Sequence, residues 1–128
     1  MSKKILICDD ELYIRLLITK NLEKYDFQIL EAQDGREAVE SAKETLPDLI
    51  IMDYAMPKQD GQEAIKEIKA DEKTRNIPII FLTGLNLRPD IKDALNKEVA
   101  VYLVKPFKKM ELIEAIEKVL SADLPEKR

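Results

Sequence analysis

The sequence predicts an α/β domain built on a doubly wound parallel sheet of five strands. Short apolar runs alternate with amphipathic stretches five times along the 128 residues, which is typical of repeated strand and helix units. The runs at residues 49–52 and 79–82 are apolar at every position, as expected of central strands that helices cover on both faces. Connections between parallel strands are nearly always right-handed, so the helices are expected on both sides of the sheet.

The first strand is predicted over residues 5–8, and a helix follows it. Apolar residues recur on one face of this helix at three- and four-residue spacing: Ile14, Leu17, Ile18, Leu22 and Tyr25. We expect Arg15, Lys20 and Lys24 on the opposite, solvent-facing side. A second strand is predicted over residues 28–32.

Turn and capping residues delimit the next two helices. Asp34 and Gly35 turn the chain into the second helix, which Pro47 ends. Its inward positions are predicted to be Ala38, Val39, Ala42 and Leu46. After the strand at 49–52, Asp60 is predicted to cap a third helix, with Glu63 at the capping-box spacing. The inner stripe of that helix is Ala64, Ile65 and Ile68.

Proline residues mark the start of the next two elements. Pro78 precedes the strand at 79–82, and Pro89 begins a short fourth helix. The inward residues of that helix are Ile91, Ala94 and Leu95. A fifth strand is predicted over residues 102–104. A last helix buries Leu112, Ile113, Ile116, Val119 and Leu120. Residues 122–128 are predicted to form a frayed or linker-like tail.

Composition excludes several classes of function. A net charge of -4 gives no general attraction for nucleic acid, so DNA or RNA binding by this chain is not expected. Apolar stretches of four or five residues are far too short to span a membrane, and a cytoplasmic location is expected. The single cysteine, Cys8, is interpreted as a buried core residue. Because the chain has no histidine, its chemistry must use carboxylates, hydroxyls, lysine and a hard cation.

Polar side chains stand at the ends of four predicted strands: Asp9 and Asp10, Asp53, Thr83, and Lys105. A parallel sheet brings these ends to one edge, where ligands bind in open α/β sheets. Two carboxylates about 4 Å apart repel by roughly 4 kcal/mol at an effective dielectric of 20. A hard divalent cation, Mg²⁺ above all, would relieve that repulsion. Taken alone, the pair Asp9 and Asp10 fits a cap of the first helix equally well.

Five motifs in this order and spacing resemble the marks of a response-regulator receiver domain. They are Cys8, Asp9, Asp10 and Glu11; Asp53 with Met56 and Pro57; Asp60 and Gly61; Thr83 and Gly84; and Lys105, Pro106 and Phe107. The resemblance implies a flavodoxin-like (βα)5 fold with strand order 2-1-3-4-5. It also implies a receiver domain over residues 1–121 and a C-terminal tail, or the start of a linker, over residues 122–128.

The resemblance implies a role for each residue of the acidic site. Asp53 would be the phosphoacceptor, taking a phosphoryl group from a phosphohistidine. Asp10 would bind Mg²⁺ directly and Asp9 through water, with Asp53 and the backbone carbonyl of Ala55 as further ligands. Lys105 would pair with Asp53 before transfer and with a phosphoryl oxygen afterwards.

The remaining implied roles concern the switch and the partners. Thr83 would donate a hydrogen bond to the phosphoryl group and so let Tyr102 change rotamer, while Gly84 keeps the pocket open to the phosphodonor. The Lys105–Pro106 peptide is expected to be cis. The partners would be a sensor histidine kinase or phosphotransfer protein, and then a downstream protein or a missing effector domain. The chain is expected to be a monomer that can dimerise on phosphorylation, and to be a signalling domain rather than an enzyme.

Two other functions share features with a phosphoacceptor domain. Haloacid-dehalogenase-type phosphatases share the aspartate, the lysine and Mg²⁺, but they place a second aspartate two residues after the nucleophile, where this chain has Ala55. The alternative that stays open is a receiver-like interaction module that is never phosphorylated and only presents a surface to partners.

Overall fold

The protein forms a five-stranded parallel sheet in the order β2-β1-β3-β4-β5. This computed structural model describes residues 2–54, 56, 61–84 and 99–127. The strands are β1 (Lys3–Cys8), β2 (Phe27–Ala32), β3 (Leu49–Asp53), β4 (Ile79–Thr83) and β5 (Val101–Val104). The predicted fold class and strand order are therefore confirmed.

Helices cover both faces of the sheet. The described helices are α1 (Leu12–Asn21), α2 (Gly35–Thr45), α3 (Gly61–Ala70) and α4 (Lys109–Leu120), of which α4 is the last predicted helix. One core cluster joins α2 and α3 to one face, and the second joins α1 and α4 to the other. Within the ranges given above, no helix is both long and apolar enough to cross a membrane. The predicted helix that begins at Pro89 and the predicted cap Asp60 lie outside the described residues.

Alternation along β1 explains how the two faces are filled. Ile5 and Ile7 belong to the cluster under α1 and α4, whereas Leu6 and Cys8 belong to the cluster under α2 and α3. Successive side chains of a strand point to opposite faces, so a run without polar residues is what a strand buried on both sides requires. The Asp34 side chain accepts a hydrogen bond from the N–H of Glu37 at 2.8 Å, which fixes the start of α2.

The structure corrects three predicted positions, two of them because a helix ends earlier than expected. Leu46 was expected to face inward, but α2 ends at Thr45, and Leu46 adopts a left-handed conformation with its side chain exposed. Tyr25 was expected on the inner face of the first helix, but α1 ends at Asn21. Arg15 was expected on the solvent side, yet its side chain is only 12% exposed because it folds back over the end of β1.

The C-terminal segment packs against the sheet rather than fraying. Leu124 is buried within the core cluster under α1 and α4. Glu126 forms an antiparallel bridge with Tyr25, and the N–H of Asp26 donates to the carbonyl of Pro125 at 2.6 Å. The expectation of a frayed tail is therefore corrected for residues 122–127, because one apolar side chain and this short backbone pairing hold the segment on the loop before β2.

Candidate functional site

The carboxyl ends of β1, β3, β4 and β5 meet at one edge of the sheet. Cys8 is in register with Met52, so the next residues, Asp9 and Asp53, stand side by side. Thr83 ends β4 in register with Val104 of β5, which Lys105 follows. The strand order thus gathers the two carboxylates, the hydroxyl and the amine at this edge.

Lys105 lies between two buried carboxylates. Its Nζ is 3.0 Å from Asp9 Oδ2 and 3.0 Å from Asp53 Oδ1. The Lys105 side chain is 16% exposed, while those of Asp9 and Asp53 are 0% and 7% exposed. Both ion pairs are therefore shielded from water. Electrostatic interactions are stronger at such a buried site than at an exposed surface. The contact of Lys105 with Asp53 was predicted from the sequence, whereas its contact with Asp9 was not.

Asp9 is fixed by hydrogen bonds from its backbone as well as its side chain. Its N–H donates to the carbonyl of Ala32 at 3.1 Å, and its Oδ1 accepts from the N–H of Glu11 at 2.9 Å. Its own carbonyl accepts from Nη1 of Arg15 at 2.7 Å. Glu11 is the N-cap residue of α1, so Asp9 and Asp10 both precede the cap. This arrangement disfavours the interpretation that the acidic pair serves only to cap the helix.

Three carboxylates at this edge form a set that could hold a cation. One oxygen each from Asp9, Asp10 and Asp53 lies within 4.8 Å of the others. Burial raises the pKa of the neighbouring Cys8 thiol, so this thiol stays protonated and is not offered as a thiolate ligand. An all-oxygen, anionic set fits Mg²⁺. Ala55, whose carbonyl was predicted to complete the set, lies outside the described residues.

Burial and neighbouring groups shift the pKa values of Asp53 and Lys105. Burial raises the pKa of Asp53 from its ordinary value of 3.8 to about 6, the hydrogen bond from Lys105 opposes that rise, and the charge of Asp9 adds to it. Burial lowers the pKa of Lys105, but its bonds to Asp9 and Asp53 outweigh that effect and raise it overall. Lys105 is therefore charged, and it keeps Asp53 largely ionised at neutral pH.

The predicted switch residues lie on the β4 and β5 side of the site. Thr83 is buried, and its carbonyl accepts from the N–H of Lys105 at 2.7 Å. Tyr102 is half-buried, and its ring packs edge-on against Phe81 with centroids 6.1 Å apart. Gly84 is exposed, and among the described residues a Cβ added there would meet no heavy atom within 4 Å. The Lys105–Pro106 peptide is cis, as predicted.

Gly61 allows the first turn of α3 to approach the end of β3. Its N–H donates to the carbonyl of Tyr54 at 2.8 Å. A Cβ at this position would overlap the carbonyl oxygen of Asp53 and would lie 3.0 Å from both Phe81 Cε1 and Tyr54 Cα. The motif of Asp60 and Gly61 predicts a residue pair that shapes the loop beside the site, but it does not predict this close approach. A lone Gly at a predicted helix start was the available signal, because close approach of two backbones is one reason for Gly.

Comparisons with known proteins match the whole site region. A family model described as the response regulator receiver domain matches residues 5–117. The transcriptional regulatory protein PdtaR of Mycobacterium tuberculosis is 41% identical over 122 residues, which cover 94% of this chain and 58% of that protein. The chemotaxis protein CheY of Bacillus subtilis is 39% identical over 123 residues, covering 94% of this chain and all of that protein. The chain thus spans little more than half of the first relative and the full length of the second.

Two solved structures of receiver domains share the fold of this chain, at 33% and 34% sequence identity. The receiver domain of sensor histidine kinase PA1611 from Pseudomonas aeruginosa, with a magnesium ion coordinated in its active site cleft, superposes with a TM-score of 0.85 and 33% identity. The match covers 95% of this chain and all of that one. The N-terminal domain of a response regulator receiver protein from Methanoculleus marisnigri gives a TM-score of 0.76 and 34% identity, over 93% and 97% of the two chains.

Proposed function

Because the chain belongs to the response regulator receiver domain family of two-component signalling proteins, we propose that Asp53 accepts a phosphoryl group from a phosphohistidine. The donor would be a sensor histidine kinase or a phosphotransfer protein. One observation carries the proposal: the Asp53 carboxylate lies at the open edge of the sheet, 3.0 Å from Lys105 and within a set of three clustered aspartates. A nucleophile, a cation to balance its charge and oxygen ligands for a metal are thus in one place.

Phosphoryl transfer to Asp53 needs positioning and charge neutralisation more than further covalent chemistry. A carboxylate oxygen of Asp53 attacks phosphorus and forms the new O–P bond. The N–P bond of the donor breaks, and its electron pair leaves with the imidazole. The product is an acyl phosphate on Asp53, so the reaction modifies the chain itself and no separate substrate is turned over.

Asp9, Asp10 and Asp53 are the side chains that would hold Mg²⁺, together with the carbonyl of Ala55. When bound, the ion supplies positive charge next to the phosphoryl oxygens. Lys105 adds a second positive charge and exchanges its bond to the Asp53 oxygen for one to a phosphoryl oxygen. It stays anchored to Asp9 meanwhile, through the second ion pair.

Thr83 and Tyr102 are proposed to convert phosphorylation into a changed surface. The Thr83 hydroxyl would donate to a phosphoryl oxygen and draw the following loop inward. The space vacated would then let Tyr102 turn from its edge-on packing against Phe81. Gly84 would leave the approach open to the donor. A downstream protein, or an effector domain attached through residues 122–128, would recognise the altered surface, and two phosphorylated copies could pair through it.

The acceptor can be tested with the intact protein and a small phosphodonor. The metal-free chain is incubated with acetyl phosphate, with and without Mg²⁺, and its intact mass is followed. We expect the gain of one phosphoryl group that requires Mg²⁺ and that is lost in Asp53→Asn, because an amide of the same shape is not a nucleophile. Asp123→Asn, an exposed aspartate far from the site in sequence, is the matched control and should be labelled like the wild type.

Two results would contradict the proposal. Equal labelling of Asp53→Asn and the wild type would show that another residue accepts the group. A folded wild type that binds Mg²⁺ and yet takes no phosphoryl group would favour the phosphorylation-independent interaction module instead.

A further inference from the structure

Arg15 is a largely buried cation that contacts the acidic edge without belonging to the cluster of aspartates. Its Nη1 donates to the carbonyl oxygen of Asp9 at 2.7 Å, and its Nε donates to Oε1 of Glu31 at 2.9 Å. It is the fourth residue of α1, at the end of the first turn, and its side chain is 12% exposed. One guanidinium therefore ties helix α1 to the end of β1 and to β2, the strand beside it.

The carbonyl that Arg15 holds belongs to the peptide bond between Asp9 and Asp10. A peptide unit is planar, so fixing its oxygen fixes the direction in which the chain leaves towards Asp10. The side chain of Asp9 is already held by Lys105 and by the N–H of Glu11. Asp10 is exposed, so the orientation of this peptide is a main constraint on where its carboxylate lies.

Glu31 in turn holds the guanidinium in place. The rigid fork of an Arg side chain can satisfy two acceptors in a fixed relative geometry, which a flexible lysine ammonium does much less well. Here the acceptors are a carboxylate on β2 and a carbonyl just after β1. In other proteins, residues that do not bind a metal themselves orient its ligands by hydrogen bonds. Arg15, supported by Glu31, is placed to do the same for the Asp9–Asp10 peptide.

We propose that Arg15 is a positioning residue for the divalent cation: it holds the Asp9–Asp10 peptide in the orientation that brings the Asp10 carboxylate to the ion. The inference rests on the proposed function, because it assumes that Asp9, Asp10 and Asp53 bind Mg²⁺. Arg15 itself touches neither the ion nor the phosphoryl group. Its effect passes through the backbone of Asp9.

Whether Mg²⁺ binding becomes weaker or tighter without Arg15 distinguishes a positioning role from an effect of its charge alone. If the guanidinium acted only through its charge, Arg15→Ala would make the acidic edge more negative and would tighten Mg²⁺ binding. If it positions Asp10, the same substitution weakens Mg²⁺ binding, and loss of such an outer contact typically costs about tenfold or more in metal affinity. A role limited to tying α1 to the sheet would lower stability and leave the affinity of the folded protein unchanged.

The experiment is a Mg²⁺ titration of the full chain by calorimetry, with urea unfolding of each variant to confirm that it is folded. We expect Arg15→Ala to weaken binding about tenfold, with part of the loss restored in Arg15→Lys, which can still reach the Asp9 carbonyl. Glu31→Gln, which keeps the guanidinium but weakens its support, should weaken binding by a smaller factor. Arg36→Ala, which removes an exposed arginine paired with Glu40 on α2, is the charge control and should change the affinity less than twofold.

Unchanged or tighter binding by folded Arg15→Ala would overturn the inference and leave the proposed function standing. A wild type that binds no Mg²⁺ would overturn both. If Arg15→Ala does not fold, Arg15→Lys decides in its place, because it keeps the charge and loses the rigid fork: weaker binding supports the positioning role, and binding equal to that of the wild type refutes it.

Discussion

A single methyl group added at Gly61 is expected to disturb the end of β3. The Cβ of Gly61→Ala would overlap the backbone oxygen of Asp53 and press on Tyr54 Cα and Phe81 Cε1 at 3.0 Å. Two of these three neighbours are backbone atoms, which cannot rotate away as the end of a flexible side chain can. Either the first turn of α3 or the end of β3 must therefore move.

The expected cost follows from this crowding. Overpacking of this kind typically costs 1–3 kcal/mol, and contact with backbone atoms places Gly61→Ala near the upper end, at about 3 kcal/mol. Up to about 1 kcal/mol is recovered because alanine has a higher helix propensity than glycine. The net loss is then about 2 kcal/mol in the free energy of unfolding. For a chain of 128 residues this corresponds to a fall in Tm of about 7 °C.

Urea and thermal unfolding of the metal-free protein measure this loss, and Gly84→Ala is the matched control. Gly84 has no positive φ, and no heavy atom of the part of the chain that the structure describes lies within 4 Å of a Cβ placed there. Its replacement should therefore leave stability unchanged or raise it by up to about 1 kcal/mol. Because the displaced atom is the Asp53 carbonyl, Gly61→Ala should also slow phosphorylation. Gly61→Ala with the Tm of the wild type would refute the reasoning, as would equal losses in both variants.

Three further predictions concern Asp53 and the C-terminal segment. Lys105→Met removes the ammonium beside Asp53, so the pKa of Asp53 should rise above about 6 in a carboxyl NMR titration of the metal-free protein; an unchanged pKa would contradict the ion pair. Because the pKa of Asp53 is raised on folding from 3.8 to about 6, its protonation stabilises the fold as pH falls. Between pH 7 and pH 5 the wild type should gain about 1 kcal/mol relative to Asp53→Asn in urea unfolding, and equal pH dependence of the two would exclude the shift. Leu124→Ala should lower the free energy of unfolding by about 2 kcal/mol, because Leu124 is buried. The control Asp123→Ala, at an exposed neighbour, should change it by less than about 0.5 kcal/mol. Similar losses in both variants would show that Leu124 is not packed.

Local patterns in the sequence account for the sheet and for much of the site. Runs such as residues 79–82 have no polar position, so only a strand buried on both faces accommodates them, and the polar residue after each run then marks the active edge. The placement of Asp9, Asp53 and Thr83 follows from that rule and from the strand order. These residues are short-chained and close to rigid strands, so their positions vary little with side-chain conformation.

Long side chains and distant segments were not predictable in the same way. Helical periodicity assigns Arg15 to the polar face, but a flexible stem lets its guanidinium bend back to Asp9 and Glu31. Lys105 reaches Asp9 on a strand three places away in the sheet, and strands lie about 4.8 Å apart. The burial of Leu124 depends on a core cluster whose members come from several distant elements, which no local pattern specifies.

The ion pairs of Lys105 make the proposed phosphoacceptor site depend on the first and the last strand in the chain. Lys105 and Asp9 are 96 positions apart, so the earliest and latest parts of the catalytic edge are synthesised far from each other in time. A nascent chain that has paired β1, β3 and β4 already has its acidic residues in place but lacks the ammonium that balances them. Docking of the edge strand β5 supplies it. If Asp53 is the phosphoacceptor, as proposed, a chain truncated before β5 should therefore take no phosphoryl group from its donor.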